Sequence, residues 1–241
     1  MKEIEFICDK ELKGVIPHPV PSRHAIPDWF KKLNPDISSV NKSTIKRCLP
    51  FMDTLTSGYL IPLWQDFHFD SYVDEHNIPN LDFKWNITFP CLKNSPPISA
   101  HDVEQTENTP FYDNPHKIAL KFNSPWIIKT PPGYSCLITS PFNRDNEFDF
   151  KIISGIVDTD NYFSMMNFPF IWKTINKKIL LPQGMPVVQV IPFRRENWKL
   201  KITDMSDSKK YQKEWFQSDY KIQSIFKQAY KKFFWKSKKW E

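Results

Sequence analysis

The feature that most constrains this fold is a run of short apolar segments between Ile118 and Arg195, separated by turns that contain proline or glycine. Three of the five glycines in the chain, Gly133, Gly155 and Gly184, fall at these turns. Short apolar runs bounded by proline and glycine are typical of β-strands. Because no helical segments alternate with them, the run predicts an antiparallel barrel or jelly roll rather than parallel βα units.

The sequence pattern divides the chain into three parts. Residues 1–57 indicate an N-terminal arm with short helices, residues 58–200 a β-rich core domain, and residues 201–241 a basic C-terminal helix. Residues 93–116 are polar, contain proline and lack a regular period, which favours a lid or a partner-contact loop. The predicted fold class is therefore mainly β, an antiparallel barrel or jelly roll with α additions.

Several absences limit the compartment and the chemistry. No apolar run approaches the ~20 residues of a membrane span, and the charged N-terminus lacks the apolar core of a signal peptide. The cysteines form no CxxC pair, which favours reduced thiols over a zinc site or a disulfide framework. They are Cys8, Cys48, Cys91 and Cys136. We expect a cytoplasmic protein, in the host cytoplasm or the virion if a phage encodes it, without a cofactor.

Positive charge is concentrated at the C-terminal end. Residues 199–241 contain twelve lysines and five acidic residues, a net charge of +7, whereas the whole chain carries +6. The rest of the chain is therefore close to neutral. A basic segment attached to a neutral body indicates an interaction surface or a solvated helix face.

The same segment has helical periodicity. Aromatic and aliphatic residues recur at spacings of three and four from about residue 208 to residue 236, with lysines between them, so we expect one amphipathic helix, possibly broken once. Its rings either pack on the barrel or meet an acidic partner, a neighbouring subunit or a membrane surface. Sequence-specific nucleic-acid binding is disfavoured because the segment lacks arginine. The candidate partner-binding residues are Lys209, Lys213, Trp215, Lys221, Lys227 and Lys231.

An apolar strand followed by two aspartates is the first candidate site. Gly155 opens the strand, and Asp158 and Asp160 at its end face the same side if the strand continues. Paired carboxylates position water, hold a metal or transfer protons. Tyr162 follows, and Arg144 is the candidate clamp for an anionic group.

His68 and Asp70 form the second candidate site. On a strand, Asp66, His68 and Asp70 share one face, and H-x-D is the form that iron oxygenases of double-stranded β-helix fold use with a distal histidine. His101 or His116 would complete such a metal site. The alternative is a polar strand face.

The order of these parts resembles the β-clip superfamily of deoxyuridine-triphosphate pyrophosphatases and deoxycytidine-triphosphate deaminases. The segment from Gly155 to Asp158, with Tyr162 displaced by one position, is similar to the family's G-x-I-D-x-x-Y, and the segment from Gly184 to Gln189 is similar to its G-x-x-x-A-Q. The resemblance implies a β-clip or cupin-like barrel, an oligomer, a water-activating role for Asp158 and a discriminating role for Tyr162. The family's P-R-S-G-L-A segment and glycine-rich C-terminal lid have no counterpart here.

A closer resemblance is to an uncharacterised family of bacteria and marine tailed phages. It rests on RCLPF at 47–51, TPPGY at 130–134, the SPFNR region at 140–144, GIVDTD at 155–160, MNFPFIWK at 166–173 and QGMPVVQVIPFRR at 183–195. It implies a shared fold and no particular activity.

Three functional hypotheses follow. The first is a phage- or virus-associated module that binds a protein partner or assembles into a homo-oligomer, without catalysis. The second is an enzyme or sensor for a nucleotide or small anion at the aspartate pair, and the third is an iron-dependent oxygenase at His68. The first is favoured because no complete catalytic set is visible.

Overall fold

The computed structural model describes residues 2–37, 42–144, 147–223 and 229–241. Within these ranges, every strand pair is antiparallel. The strands are β1 (Glu5–Ile7), β2 (Val20–Pro21), β3 (Asp36–Ile37), β4 (Lys42–Ser43), β5 (Tyr59–Pro62), β6 (Phe67–Val73), β7 (Pro79–Trp85), β8 (Ile98–Ala100), β9 (Ala119–Lys129), β10 (Tyr134–Thr139), β11 (Phe150–Ile152), β12 (Gly155–Val157), β13 (Met165–Trp172), β14 (Lys177–Leu181) and β15 (Pro186–Arg194). The α-helices are α1 (Asp28–Lys32), α2 (Leu49–Thr56), α3 (Val103–Thr106), α4 (Lys209–Gln223) and α5 (Ala229–Phe233).

Two five-stranded sheets form the body. Sheet 1 has the order β1–β9–β13–β11, with β8 also paired to β9, and sheet 2 has the order β12–β10–β15–β5–β2. A third sheet, β14–β6–β7, has three strands, and β3 pairs with β4. The predicted fold class, mainly antiparallel β with α additions and a C-terminal helix, is confirmed.

One apolar cluster joins the three larger sheets. Alternation along β13 places Phe170 and Trp172 in the core. Phe170 stacks on Phe122 of β9 with ring centroids 4.1 Å apart, and Trp172 stacks on Phe69 of β6 at 4.3 Å. Because stacked rings add attraction beyond the area they bury, the first pair stabilises sheet 1 internally, and the second holds sheet 3 against sheet 1.

A close backbone contact fixes the junction between α2 and β5. Gly58 has φ +63°, and a Cβ at this position would lie 2.1 Å from the carbonyl oxygen of Val190. Only glycine allows both this conformation and this approach. The junction brings β5 alongside β15 in sheet 2.

Two elements differ from the sequence expectation. The alternating sequence FKWNITF at 83–89 predicts a strand there, whereas β7 begins at Pro79 and ends at Trp85, because its pairing with β6 sets its limits. The polar 93–116 loop contains β8 and the short helix α3. Pairing partners distant in sequence decide both outcomes, and local patterns do not encode them.

Candidate functional site

The aspartate pair lies in a tight turn after β12, where Arg195 from the end of β15 joins it. The guanidinium of Arg195 binds both carboxylate oxygens of Asp160, with Nη1 2.8 Å from Oδ1. The backbone N–H of Gly133 donates to Oδ2 of Asp160 at 2.8 Å. Since only 6% of the Asp160 side chain is exposed, this carboxylate ties three segments of the chain together.

The same contacts control the protonation of Asp160. The hydrogen bond from Arg195 is the main reason that the pKa of Asp160 falls from its ordinary 3.8 to about 2, with help from the Gly133 N–H and against the effect of burial. Asp160 in turn raises the pKa of Arg195. Asp160 is therefore ionised at neutral pH and too weak a base to accept a proton efficiently.

Asp158 is the more open member of the pair. Its side chain is 60% exposed and lies 3.3 Å from Nη1 of Arg195, and the hydroxyl of Ser135 donates to its Oδ1 at 2.6 Å. Tyr162, whose backbone N–H donates to the Asp158 carbonyl at 2.9 Å, has an exposed ring. Chemically, this arrangement holds a carboxylate at the surface beside one arginine.

Arg144 does not meet the aspartates. Its guanidinium is buried, donates to the carbonyl of Ala25 and lies 3.8 Å from a carboxylate oxygen of Glu147. Burial lowers the pKa of Arg144. The arginine beside the aspartates is Arg195, which the sequence analysis did not identify. Its only signal in the sequence is the arginine pair at the end of the apolar run that forms β15.

Gln189, the glutamine of the second resembling motif, supports the backbone. Its side-chain nitrogen donates to the carbonyls of Thr54 at 3.0 Å and Ser57 at 2.7 Å, and its oxygen accepts from the N–H of Phe142 at 2.8 Å. It is 1% exposed. All of these contacts are internal, so Gln189 is a structural residue of sheet 2.

His68 and Asp70 lie on the outer face of sheet 3, opposite the buried rings of β6. They line an open groove of about 510 Å³ together with residues of β7 and β14. Lys178 of β14 forms an ion pair with Asp70, with Nζ 2.8 Å from Oδ2. On this sheet surface the Asp70 carboxylate is therefore already paired.

The predicted third ligand lies elsewhere. His116 is buried, with its Nε2 2.8 Å from the carbonyl oxygen of Thr174. Within the described residues, the one group of metal-ligating side chains near enough to share an ion is Asp9, Glu11 and Cys91. The structure therefore brings neither His101 nor His116 together with His68 and Asp70.

The chain between β15 and α4 begins with an exposed segment that has no assigned secondary structure. The side chains of Trp198, Leu200 and Ile202 are 87%, 84% and 88% exposed. We call residues 196–203 the 196–203 segment. Within it, residues 197–203 make no backbone hydrogen bond to another described residue. Apolar residues alternate with Lys199 and Lys201, which is the pattern of a strand.

Helix α4 is also exposed, to a lesser degree than the 196–203 segment. None of the side chains described for it is buried. Tyr211, Trp215 and Ile222 share one face by their spacing, with exposures of 44%, 49% and 58%. The packing of these rings on the barrel, one of the sequence expectations, is thus not observed for α4, because a periodic pattern defines a face without specifying what covers it.

The candidate lysines lie on and around this helix. Lys209 and Lys213 are exposed on α4, and Lys231 is exposed on α5. Lys221 contacts the ring of Phe233, with Nζ 6.0 Å from its centroid. Lys227 lies outside the described residues.

Residues 235–241 contact α2 and β5. The indole N–H of Trp235 donates to Asp53 of α2, 3.0 Å from its Oδ2, and Lys238 pairs with the same carboxylate. Tyr59 donates to the carbonyl of Glu241 at 3.1 Å. The 196–223 region therefore lies between two attached points.

No family model and no curated protein matches this chain. Among solved structures, the dUTPase of Staphylococcus aureus phage phi11 is 9% identical, over 84% of this chain and 97% of its own, with a TM-score of 0.36. The EIAV dUTPase is 11% identical, over 61% of this chain and 83% of its own, with a TM-score of 0.32. The dUTPase of Staphylococcus bacteriophage 80alpha, solved with dUpNHpp, is 13% identical, over 61% of this chain and 76% of its own, with a TM-score of 0.33. Likenesses of this size say nothing about activity or ligand.

No helix among the described residues has both the length and the apolar character that crossing a bilayer requires.

Proposed function

We propose that this protein is a β-scaffold that binds a macromolecular partner through residues 196–223, as a phage- or virus-associated assembly module without catalysis at the aspartate turn. The observation that carries the proposal is the exposure of Trp198, Leu200 and Ile202, each above 80%. Contiguous exposed apolar side chains favour an interaction site, because leaving them in water is unfavourable.

The attachment of both ends supports this role. Arg195 fixes the start of the region through its pairing with Asp160, and Trp235 fixes the chain beyond it through Asp53. A binding segment held at two points loses less conformational freedom when it docks. The region is therefore a surface segment held at both ends and not a free tail.

The chemistry of the region defines the partner. Its apolar side chains require an apolar surface, and aromatic residues such as Trp215 and Tyr220 are the types enriched at the centres of protein interfaces. Lys199, Lys201 and Lys213 lie among them and favour a partner with acidic groups around that surface.

The state of the aspartate turn also supports a role without catalysis. Asp160 is bound by Arg195 and Gly133 and holds its charge, and Arg144 is buried against Ala25. The turn thereby anchors the end of β15, the strand from which the 196–223 region departs.

Photocrosslinking tests the proposal. A benzophenone amino acid replaces Tyr220, which is 78% exposed, and in a control it replaces Ile78, which is 54% exposed in the β6–β7 hairpin. In the cells where the chain is naturally made, we expect a discrete crosslinked species from position 220 only. The absence of a crosslinked species at position 220, or the same species from both positions, would remove the proposal.

A second candidate function, the binding of a nucleotide or a small anion, rests on a cleft of about 660 Å³ near the Thr130–Tyr134 turn. Tyr59, Tyr134 and Trp240 line it together with two lysines, Lys2 and Lys239, and two acidic residues, Glu3 and Glu241. Lys2 Nζ lies 4.3 Å from the centroid of the Tyr134 ring. Rings and lysines together suit a planar base that carries phosphate.

Melting with nucleoside triphosphates tests this second candidate. A ligand that binds the folded state raises the melting temperature, and we expect Trp240→Ala to abolish the rise. An unchanged melting temperature at saturating triphosphate would exclude nucleotide binding at the cleft.

A further inference from the structure

The 196–203 segment has the properties of a strand that lacks its sheet. Trp198, Leu200 and Ile202 alternate with lysines, and the backbone of residues 197–203 is unpaired within the described chain. An extended backbone with one apolar face is stabilised when it pairs with a strand and covers that face. The alternating lysines keep such a strand soluble until it pairs.

Both sides of β15, the strand that precedes the segment, are already paired with other strands. β15 is an inner strand of sheet 2, with β10 on one side and β5 on the other. Its pairing with β10 ends at Arg194 opposite Tyr134, and Arg195 is then held by Asp160. Beyond this point the chain leaves the sheet.

Sheet 2 also has an open edge with an apolar outer face. β12 is the last strand at that edge, and its Ile156 is 65% exposed, while the neighbouring Val157 packs toward the core. Across the sheet, Ile156 lies opposite Leu137, and Leu137 lies opposite Ile191. These three residues, the outer row, form an apolar stripe on a face that is usually polar in antiparallel sheets.

We propose that the occupant of this edge is the 196–203 segment of a second copy of the chain. The segment adds to β12 as a further strand, and its apolar face lies against the outer row, beginning at Ile156. This deepens the proposed function, on which it rests, by naming the partner. Each copy thus supplies one segment and one edge, so two copies that exchange segments, or a closed ring of copies, fill every β12 edge.

The size of the region matches what such an interface needs. A stable interface takes about 20–30 residues and about 800 Å² from each partner. The region from Glu196 to Gln223 falls within that span, and its uncovered side chains on the segment and on α4 supply the apolar part. Helix α4 follows the docked segment and extends the contact.

Sedimentation velocity of the full purified chain tests the proposal. We expect an oligomer for the wild type and a folded monomer when Trp198, Leu200 and Ile202 are all changed to Ser. Because these side chains are already exposed in the single chain, the variant retains its fold, which far-UV circular dichroism checks. The acceptor variant Ile156→Lys should also be monomeric. The control with Val15→Ser and Ile78→Ser, whose side chains are 60% and 54% exposed, should remain an oligomer.

Crosslinking between copies tests the site itself. Two differently tagged chains, one Leu200→Cys and one Ile156→Cys, both with the exposed Cys48 changed to Ser, are mixed and treated with a short bis-maleimide. We expect a mixed crosslinked pair, and a clearly weaker one when Ile78→Cys replaces Ile156→Cys.

The outcomes separate the two proposals. A monomeric wild type, an oligomer that persists in the triple and Ile156→Lys variants, or equal crosslinking in the control overturns the second-copy proposal. If position 220 still crosslinks to a different protein, partner binding by the region stands while self-assembly does not. If position 220 crosslinks to nothing, the proposed function fails as well.

Discussion

Arg195 and Asp160, which lie 35 residues apart in the chain, form a two-point ion pair that joins the end of β15 to the turn after β12. At this turn the sequence predicted a reactive pair of aspartates, with Arg144 beside them to bind an anionic group. It gives Asp160 a structural role, and it fixes the point from which the exposed 196–203 segment departs.

Replacing Asp160 by Asn should lower the melting temperature by more than replacing Asp158 by Asn. The Asp160 change leaves Arg195 without its two-point partner, whereas Asp158 is largely exposed and makes fewer contacts. Thermal unfolding followed by circular dichroism measures both. Equal effects of the two substitutions would contradict a structural role specific to Asp160.

Stability should depend on pH through Asp160. Its pKa is about 2 in the folded protein against an ordinary 3.8, so the unfolded chain binds more protons between these values and stability rises with pH there. The contribution is complete above the ordinary value and is lost as the pH falls through about 2. In urea unfolding across this pH window, the free energy of unfolding of Asp160→Asn should rise less steeply with pH than that of the wild type.

Replacing Gly58 by Ala should destabilise the protein by about 3 kcal/mol, because left-handed backbone strain and a steric clash add together. The new Cβ would lie 2.1 Å from the Val190 carbonyl oxygen. The control is Gly14→Ala, where φ is +82° and no atom lies within 4 Å; it should cost about 1 kcal/mol from the backbone alone. Urea unfolding distinguishes the two, and similar costs would mean that the junction relaxes.

Cys136 should resist thiol reagents while Cys48 reacts quickly. Burial raises the pKa of Cys136 to about 11, and the reactive form is the thiolate. Cys48 is exposed. Labelling followed by mass spectrometry should modify Cys136 only when the protein is unfolded, and early modification of Cys136 in the folded protein would contradict the packing of sheet 2.

The sequence predicted the antiparallel fold because its signals are local. Turns such as the one at Gly133 and alternation such as that around Phe170 follow from neighbouring residues. The strand limits are less local: β7 ends at Trp85 because β6 pairs there.

The site was less predictable because it depends on pairing register. Asp160 meets Arg195, and not Arg144, only once β15 pairs with β10 and β12 with β10. No spacing along the chain encodes that arrangement. Likewise, periodicity predicted the apolar face of α4 but not that this face remains about half exposed in a single chain.

Amide hydrogen exchange of residues 197–203, measured over a range of protein concentrations, tests the central claim most directly. These amides lack partners within the described chain, so they should exchange rapidly in dilute protein and become protected as copies assemble. The Trp198, Leu200 and Ile202 triple Ser variant should exchange rapidly throughout. Rapid exchange in the wild type at every concentration, or protection that persists on dilution to the monomer, would contradict the account.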